Sequence, residues 1–256
     1  MLDQLIAAIQ PLDAGAMEAC QLRLDNLTKP LGSLHGLEQL ACRLAGITGD
    51  PRPRNIKKSI ILAAADHGVA QEGVSAYPPE VTPQMVVNFC RGGAAINAFA
   101  KHAGAELVLV DVGVAADLPE SPELRQEKIA YGSGNIATGP AMTREQALQA
   151  IEVGVKIARE EIARGVRVIG LGEMGIANTT PSTAIIACYA ERPIRELTGR
   201  GTGVSGDGLE RKAKIIERAL AVNRPDLHDP IDVLAKVGGL EIAALTGVTL
   251  DRKSVV

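Results

Sequence analysis

Apolar and polar positions along residues 1–48 repeat with a helical period. MLDQLIAAI and MEACQLRLDNL each place apolar residues three and four apart. In LTKPLGSLHGLEQLACRLAGI the pattern breaks at Lys29-Pro30 and Gly32, then restarts with Ser33 as the expected N-cap. PRPRN at 51–55 reads as a basic connection. The rhythm then changes. SIILAAADHG (59–68), AELVLVDVGV (105–114) and GVRVIGLGEMG (165–175) are continuous apolar runs that end in polar residues and glycine, the pattern of strands buried on both faces. Between the first two, TPQMVVNFCRGGAAINAFAKHAG predicts one helix over 82–104, capped by Thr82 with Pro83 in its first position. Before the third, TREQALQAIEVGVKIAREEIARG predicts another, opened by a Thr143–Gln146 capping box and stopped at Gly165.

Strands alternating with helices predict the α/β class: a Rossmann-like parallel sheet with helices on both faces. The expected organisation is a small helical part at 1–55 and an α/β core at 56–256. VGGLEIAALTGV reads as a helix. DRKSVV after it reads as the start of a buried strand, so the chain is expected to be a shortened version of a longer fold.

Composition refines this picture. Apolar residues make up 46% and aromatic ones only 2%, so the core is expected to be aliphatic. A net charge of −3 forces no basic face and disfavours nucleic acid as a partner. Cys20, Cys42, Cys90 and Cys188 lie far apart, as expected of free thiols in a reducing cytoplasm. No signal peptide is visible, and no apolar run approaches the ~20 residues that span a bilayer.

In parallel sheets, ligands sit outside the carboxyl ends of the strands. Asp66, His67, Asp111, Gly172 and Glu173 fall at such ends. GLGEMG at 170–175 also spells the glycine pattern of a dinucleotide-binding turn, and GRGTGVSG at 199–206 contains it again. The first lacks a strand-tip acid at the right distance, because Glu191 sits in CYAERPIRELTGR; the second follows helical sequence. The same glycines suit a single phosphate held by main-chain amides, with Thr179 and Thr180 adding hydroxyls and Lys212 a counter-charge. Ordinary caps and turns are the alternative reading. Asp66-His67 is open to a dyad, a ligand pair or a polar strand end. His35, His102 and His228 are scattered, which disfavours a metal site, and no serine-hydrolase elbow appears.

ADHGVAQEGVSAYPPEVTPQMVVNFCRGGAAINAFA, GLGEMGIANTT, GRGTGVSGDGLERK and VGGLEIAALTG follow one another in this order. Together with LTKPLGSLHGLEQLA they resemble the nicotinate-nucleotide–dimethylbenzimidazole phosphoribosyltransferase family of cobalamin biosynthesis. The resemblance implies transfer of phosphoribosyl from nicotinate mononucleotide to 5,6-dimethylbenzimidazole. The products are α-ribazole 5′-phosphate and nicotinate, with inversion at the anomeric carbon and no metal or redox cofactor. It implies a cytoplasmic homodimer. It also implies Glu173 as the carboxylate facing the sugar, and Ser75, Tyr77, Gln84 and Met85 along the base pocket. Asp66, His67, Gly172, Gly175, Asn178, Thr179, Thr180, Gly201, Thr202, Gly203 and Lys212 are implied around the nucleotide. Leu31 and His35-Gly36 depart from the family pattern. The family's general base falls about a hundred residues beyond Val256, Glu241 belongs to a different motif, and the chain alone is expected to be nearly inactive. A non-catalytic nucleotide-binding fragment and a dinucleotide-dependent oxidoreductase are the competing readings.

Overall fold

A computed structural model describes residues 2–54 and 56–250. They fall into two compact units, one drawn from Met1–Lys57 and from Thr249 onward, the other Lys58–Val248. DRKSVV, expected to start a strand, lies outside the described residues.

The first unit holds α1 (Leu2–Ala7), α2 (Ala14–Asp25) and α3 (Gly36–Thr48). Asp13 caps α2 by accepting the Ala16 N–H at 2.9 Å. Ala16, Cys20, Cys42 and Ala45 form the seam between α2 and α3. Ser33 does not cap α3. The residue flanking that helix is His35, and Glu38 instead accepts from the Leu34 N–H at 3.1 Å and pairs with Lys29 at 2.8 Å.

The second unit is built on four strands: β1 (Lys57–Ala65), β2 (Ala105–Gly113), β3 (Leu124–Gln126) and β4 (Val166–Met174). Their order is β3-β2-β1-β4, with β1 parallel to β2 and β2 parallel to β3. Around them run α4 (Val81–Cys90), α5 (Ala95–Ala103), α6 (Arg144–Ala163), α7 (Thr179–Tyr189), α8 (Ile194–Leu197), α9 (Asp207–Asn223), α10 (Pro230–Val237) and α11 (Leu240–Leu250). Leu62, Ala64 and Leu109 pack on Val86 and Phe89 of α4 and Ile96 of α5. Ile61, Ala63, Val108 and Val110 alternate with them and are buried as well, so both faces of β1 and β2 are covered. The protein is α/β.

Three expectations change. The helix over 82–104 is two helices, α4 and α5. Gly92 takes φ 74°, in the left-handed region that favours glycine, and turns the chain there. Helix α4 begins at Val81, and Thr82 is no cap: its buried hydroxyl accepts the Ile176 N–H at 3.0 Å. Strand β4 is not buried on both faces. It pairs with β1 at the edge of the described sheet; Gly172 and Met174 face α5 and the core, while Arg167, Leu171 and Glu173 on the other side are exposed.

Helices α6 and α11 are in unusually close contact. A Cβ at Gly154 of α6 would stand 1.8 Å from the Ala244 carbonyl oxygen, and one at Gly247 of α11 would stand 2.0 Å from that of Ile151. The two helices meet backbone to backbone, which holds α11 in a single register.

Candidate active site

The carboxyl ends of β1 and β4 are joined by short, specific contacts. Strand β1 ends in Ala65, after which Asp66 and His67 are almost wholly enclosed, at 5% and 3% exposure. Asp66 Oδ2 accepts the Ala115 N–H at 2.8 Å, while Oδ1 has no hydrogen-bond partner among the described residues. Burial raises its pKa above the usual carboxylate value, against the Ala115 and Thr82 hydrogen bonds and His67. Asp111 at the tip of β2 is engaged internally: Oδ1 accepts the Val114 N–H at 2.9 Å and Oδ2 lies 3.1 Å from Lys128 Nζ.

Glu173 stands on the open face of β4 and accepts a hydrogen bond from the Asn178 side chain. Protein packed around it raises its pKa, with the charge of Glu241 adding and Asn178 and His67 opposing. The chain then turns through Gly175, Ile176 and Ala177. Ala177 takes φ 75° in the left-handed region although it carries a side chain, and it is buried. Gly175 has no room for a side chain: a Cβ would meet the Ala65 carbonyl oxygen at 2.3 Å. The turn therefore lies directly on the end of β1.

Helix α7 opens with Thr179, which is exposed, and Thr180, which is fully enclosed with its hydroxyl unpartnered. Lys212 of α9 reaches the same place. It is 0% exposed, and its ammonium donates to Thr179 Oγ1 at 2.5 Å and lies 3.4 Å from the Gly199 carbonyl oxygen. Among the described residues no carboxylate pairs with it, and burial lowers its pKa. Gly201, at φ 53°, packs against this pair: a Cβ would lie 2.7 Å from Thr179 Oγ1 and 3.0 Å from Lys212 Nζ. The 172–180 and 199–206 turns thus meet in space. An enclosed cation without counter-charge beside a helix N-terminus is an anion-accepting arrangement.

Thr202 carries the second turn onward to the loop before α4. Its hydroxyl lies 2.9 Å from Ser75 Oγ and accepts the Ala76 N–H at 3.0 Å. Tyr77 beside it is 56% exposed and Gln84 is exposed on α4, whereas Met85 packs against the core cluster. Gly172 faces Leu62 and Ile96, and Gly203 takes φ 107° with open space around its Cβ position. Sequence reasoning missed Thr82 as a brace for the 176 amide and missed the partnership of His67 with Glu241. Neither had a signal beyond membership in an ordered set of motifs. Glu191 follows α7 in a bend, not at a strand tip. Among the described residues no cluster of His, Cys, Asp and Glu is arranged to hold a metal ion, and no helix is long and apolar enough to cross a membrane.

The class of protein follows from a family model described as phosphoribosyltransferase, which matches residues 9–254. Curated relatives named nicotinate-nucleotide–dimethylbenzimidazole phosphoribosyltransferase include one from Chloroflexus aggregans, 56% identical over 250 residues, and one from Geotalea uraniireducens, 54% identical. Each alignment covers 98% of this chain and 71% of the relative. The crystal structure of CobT from Thermus thermophilus superposes with a TM-score of 0.88 at 46% identity, covering 93% of this chain and 71% of that one. The chain belongs to the nicotinate-nucleotide–dimethylbenzimidazole phosphoribosyltransferase family.

Proposed function

We propose that the protein transfers phosphoribosyl from nicotinate mononucleotide to 5,6-dimethylbenzimidazole, releasing nicotinate and forming α-ribazole 5′-phosphate for cobalamin synthesis. The observation that carries this reading is Lys212, a fully enclosed ammonium that among the described residues meets a hydroxyl and a carbonyl, and no carboxylate, where two glycine turns join. The 5′-phosphate supplies the missing negative charge. It rests against Lys212, Thr179, Gly201 and the amides that open α7. Asn178 holds Glu173, and Glu173 faces the ribose. As the bond to nicotinate breaks, positive charge develops on the sugar ring, and a fixed carboxylate lowers the energy of that state. Attack by the benzimidazole nitrogen from the opposite side inverts the anomeric carbon as nicotinate leaves, and the N–H proton of the other ring nitrogen passes to water.

Ser75, Tyr77 and Gln84 line the approach of the base, and the Ser75–Thr202 contact links that approach to the phosphate turn. Met85 supports it from the core. Asp66, His67, Gly172, Gly175, Thr180 and Gly203 shape the floor and the turns. Glu241 is enclosed and occupied by His67, so it does not receive the benzimidazole proton. The protein acts in the cytoplasm as a homodimer, a reading supported by its motif likeness to the family and testable by light scattering. The deciding experiment is calorimetry with each substrate separately, followed by chromatography of the mixture. Binding of nicotinate mononucleotide is expected, with α-ribazole phosphate appearing only slowly, because no described residue is placed to take the benzimidazole proton. Failure to bind or convert either substrate would overturn the reading.

A further inference from the structure

The histidine of ADHG and the glycine-glutamate pair of VGGLE are far apart in sequence and in direct contact in the fold. His67 Nε2 lies 2.9 Å from Glu241 Oε1, with the two side chains 1% and 0% exposed. The imidazole is gripped from two sides. A Cβ at Gly175 would stand 2.9 Å from Nε2 and 3.0 Å from Cδ2; one at Gly239 would stand 2.5 Å from Cε1 and 2.7 Å from Glu241 Oε2. Ser133 Oγ lies 3.5 Å from Nδ1. The ring therefore has one orientation, fixed by two glycines and a carboxylate. Gly175 is two residues beyond Glu173. Glu241 opens α11, whose place is set by its backbone contact with α6 at Gly154 and Gly247.

We propose that His67 and Glu241 are positioning residues for the transfer reaction: a clamped imidazolium–carboxylate unit beneath the 173–178 turn that keeps Glu173 in place. This inference rests on the role proposed for Glu173 in the transfer. A buried charge is costly unless paired, and this pair supplies its own counter-charge within the protein. Its orientation decides the consequence. The imidazole lies against the turn that carries Glu173, so its positive form opposes part of the rise that the packed protein and the charge of Glu241 impose on the Glu173 pKa. The titratable groups facing the ring are Asp66 from β1, Glu173 from β4 and Glu241 from α11. Asp111 from β2 acts on Asp66 and is itself paired with Lys128. The acidic groups together hold the ring protonated, against the burial that would otherwise lower its pKa.

The test follows the Glu173 carboxyl carbon by NMR in protein labelled at glutamate, from about pH 4 to 9, in the full chain. In the wild-type protein the Glu173 signal is expected to show a second inflection at the pH where the His67 ring loses its proton. His67→Gln keeps a donor for Glu241 but removes the positive charge, so the Glu173 midpoint is expected to move upward by about one pH unit. Adding Glu241→Gln removes the remaining negative charge and is expected to return the midpoint toward the wild-type value. The acidic limb of the transfer rate is expected to move in the same directions. A Glu173 signal with no inflection tied to His67, and an unchanged midpoint in a folded His67→Gln variant, would overturn the proposal. The wild-type titration needs no substitution and so judges the proposal even where a variant does not fold. Absence of any transfer by the wild-type protein would count against the proposed transferase function, while the NMR result would still judge this pair.

Discussion

Replacing Lys212 by methionine separates a phosphate ligand from a merely structural lysine. The side chain is 0% exposed and its two contacts are neutral oxygens at 2.5 and 3.4 Å. In the free protein its charge is uncompensated, so methionine of similar length is expected to leave stability unchanged or raise it. Burial lowers the pKa of the lysine, so the folded state releases this proton before the unfolded chain does. The penalty is therefore complete below the lowered folded value and disappears as pH rises to the unfolded value, and the variant loses that alkaline gain. With ligand present the sign reverses. A hydrogen bond to a charged group is worth about 1.5–3 kcal/mol, so Kd for nicotinate mononucleotide should weaken roughly 10- to 150-fold. The assay is thermal melting with and without the nucleotide. At a ligand concentration about 100 times the wild-type Kd, binding stabilises by about 2.7 kcal/mol, a Tm rise of roughly 5–11 °C. In the variant the same concentration is about 0.7–10 times Kd and gives roughly 0.3–1.4 kcal/mol, a rise of about 1–5 °C. A variant that melts several degrees lower without ligand, yet keeps the full ligand-induced rise, would refute the phosphate role.

Glu173→Gln is expected to leave nicotinate mononucleotide affinity within about threefold while lowering transfer roughly 10²–10³-fold, as removal of a group that acts only on developing charge should; calorimetry and steady-state kinetics check the two halves. Gly247→Ala would drive a methyl into the Ile151 carbonyl, whose oxygen stands 2.0 Å from the Cβ position. The expected loss is about 1–3 kcal/mol, or roughly 2–12 °C in Tm by calorimetric melting. His67 titrates above its ordinary value because Glu241, Asp66 and Glu173 outweigh its burial. A raised folded value means that its contribution is complete below the unfolded pKa of about 6.5 and is lost as pH rises through the folded value. Denaturant midpoints from pH 5 to 9 should show that fall, and His67→Gln should flatten it.

The parts of this fold that were legible in the sequence are those with a local cause. Strands β1 and β2 announce themselves as apolar runs because both their faces are covered. The Thr143–Gln146 capping box forms as read, with Gln146 accepting the Thr143 N–H at 2.9 Å. Other features depend on partners distant in the chain. Strand β3 is three residues long and pairs only with Leu109–Asp111, too short for any periodicity. The open face of β4 was invisible because Leu171 carries no mark of where the covering helices stop. Thr82 looked like a cap because its neighbour is proline, but the Ile176 amide claims its hydroxyl. At the site, the glycines of 170–175 and 199–206 could be read as phosphate turns, but only the fold shows that Lys212 and Thr179 bring them together. The contact of His67 with Glu241 spans 174 residues and has no periodic trace.

The central claim is that one ribose phosphate sits where these two turns meet, with the sugar toward Glu173. A crystal structure of the protein with nicotinate mononucleotide tests it most directly. The expected density places the phosphate within hydrogen-bond distance of Lys212 Nζ and the first amides of α7, and the anomeric carbon on the Glu173 side. A phosphate bound away from Lys212, or a ribose turned from Glu173 toward solvent, would contradict the account.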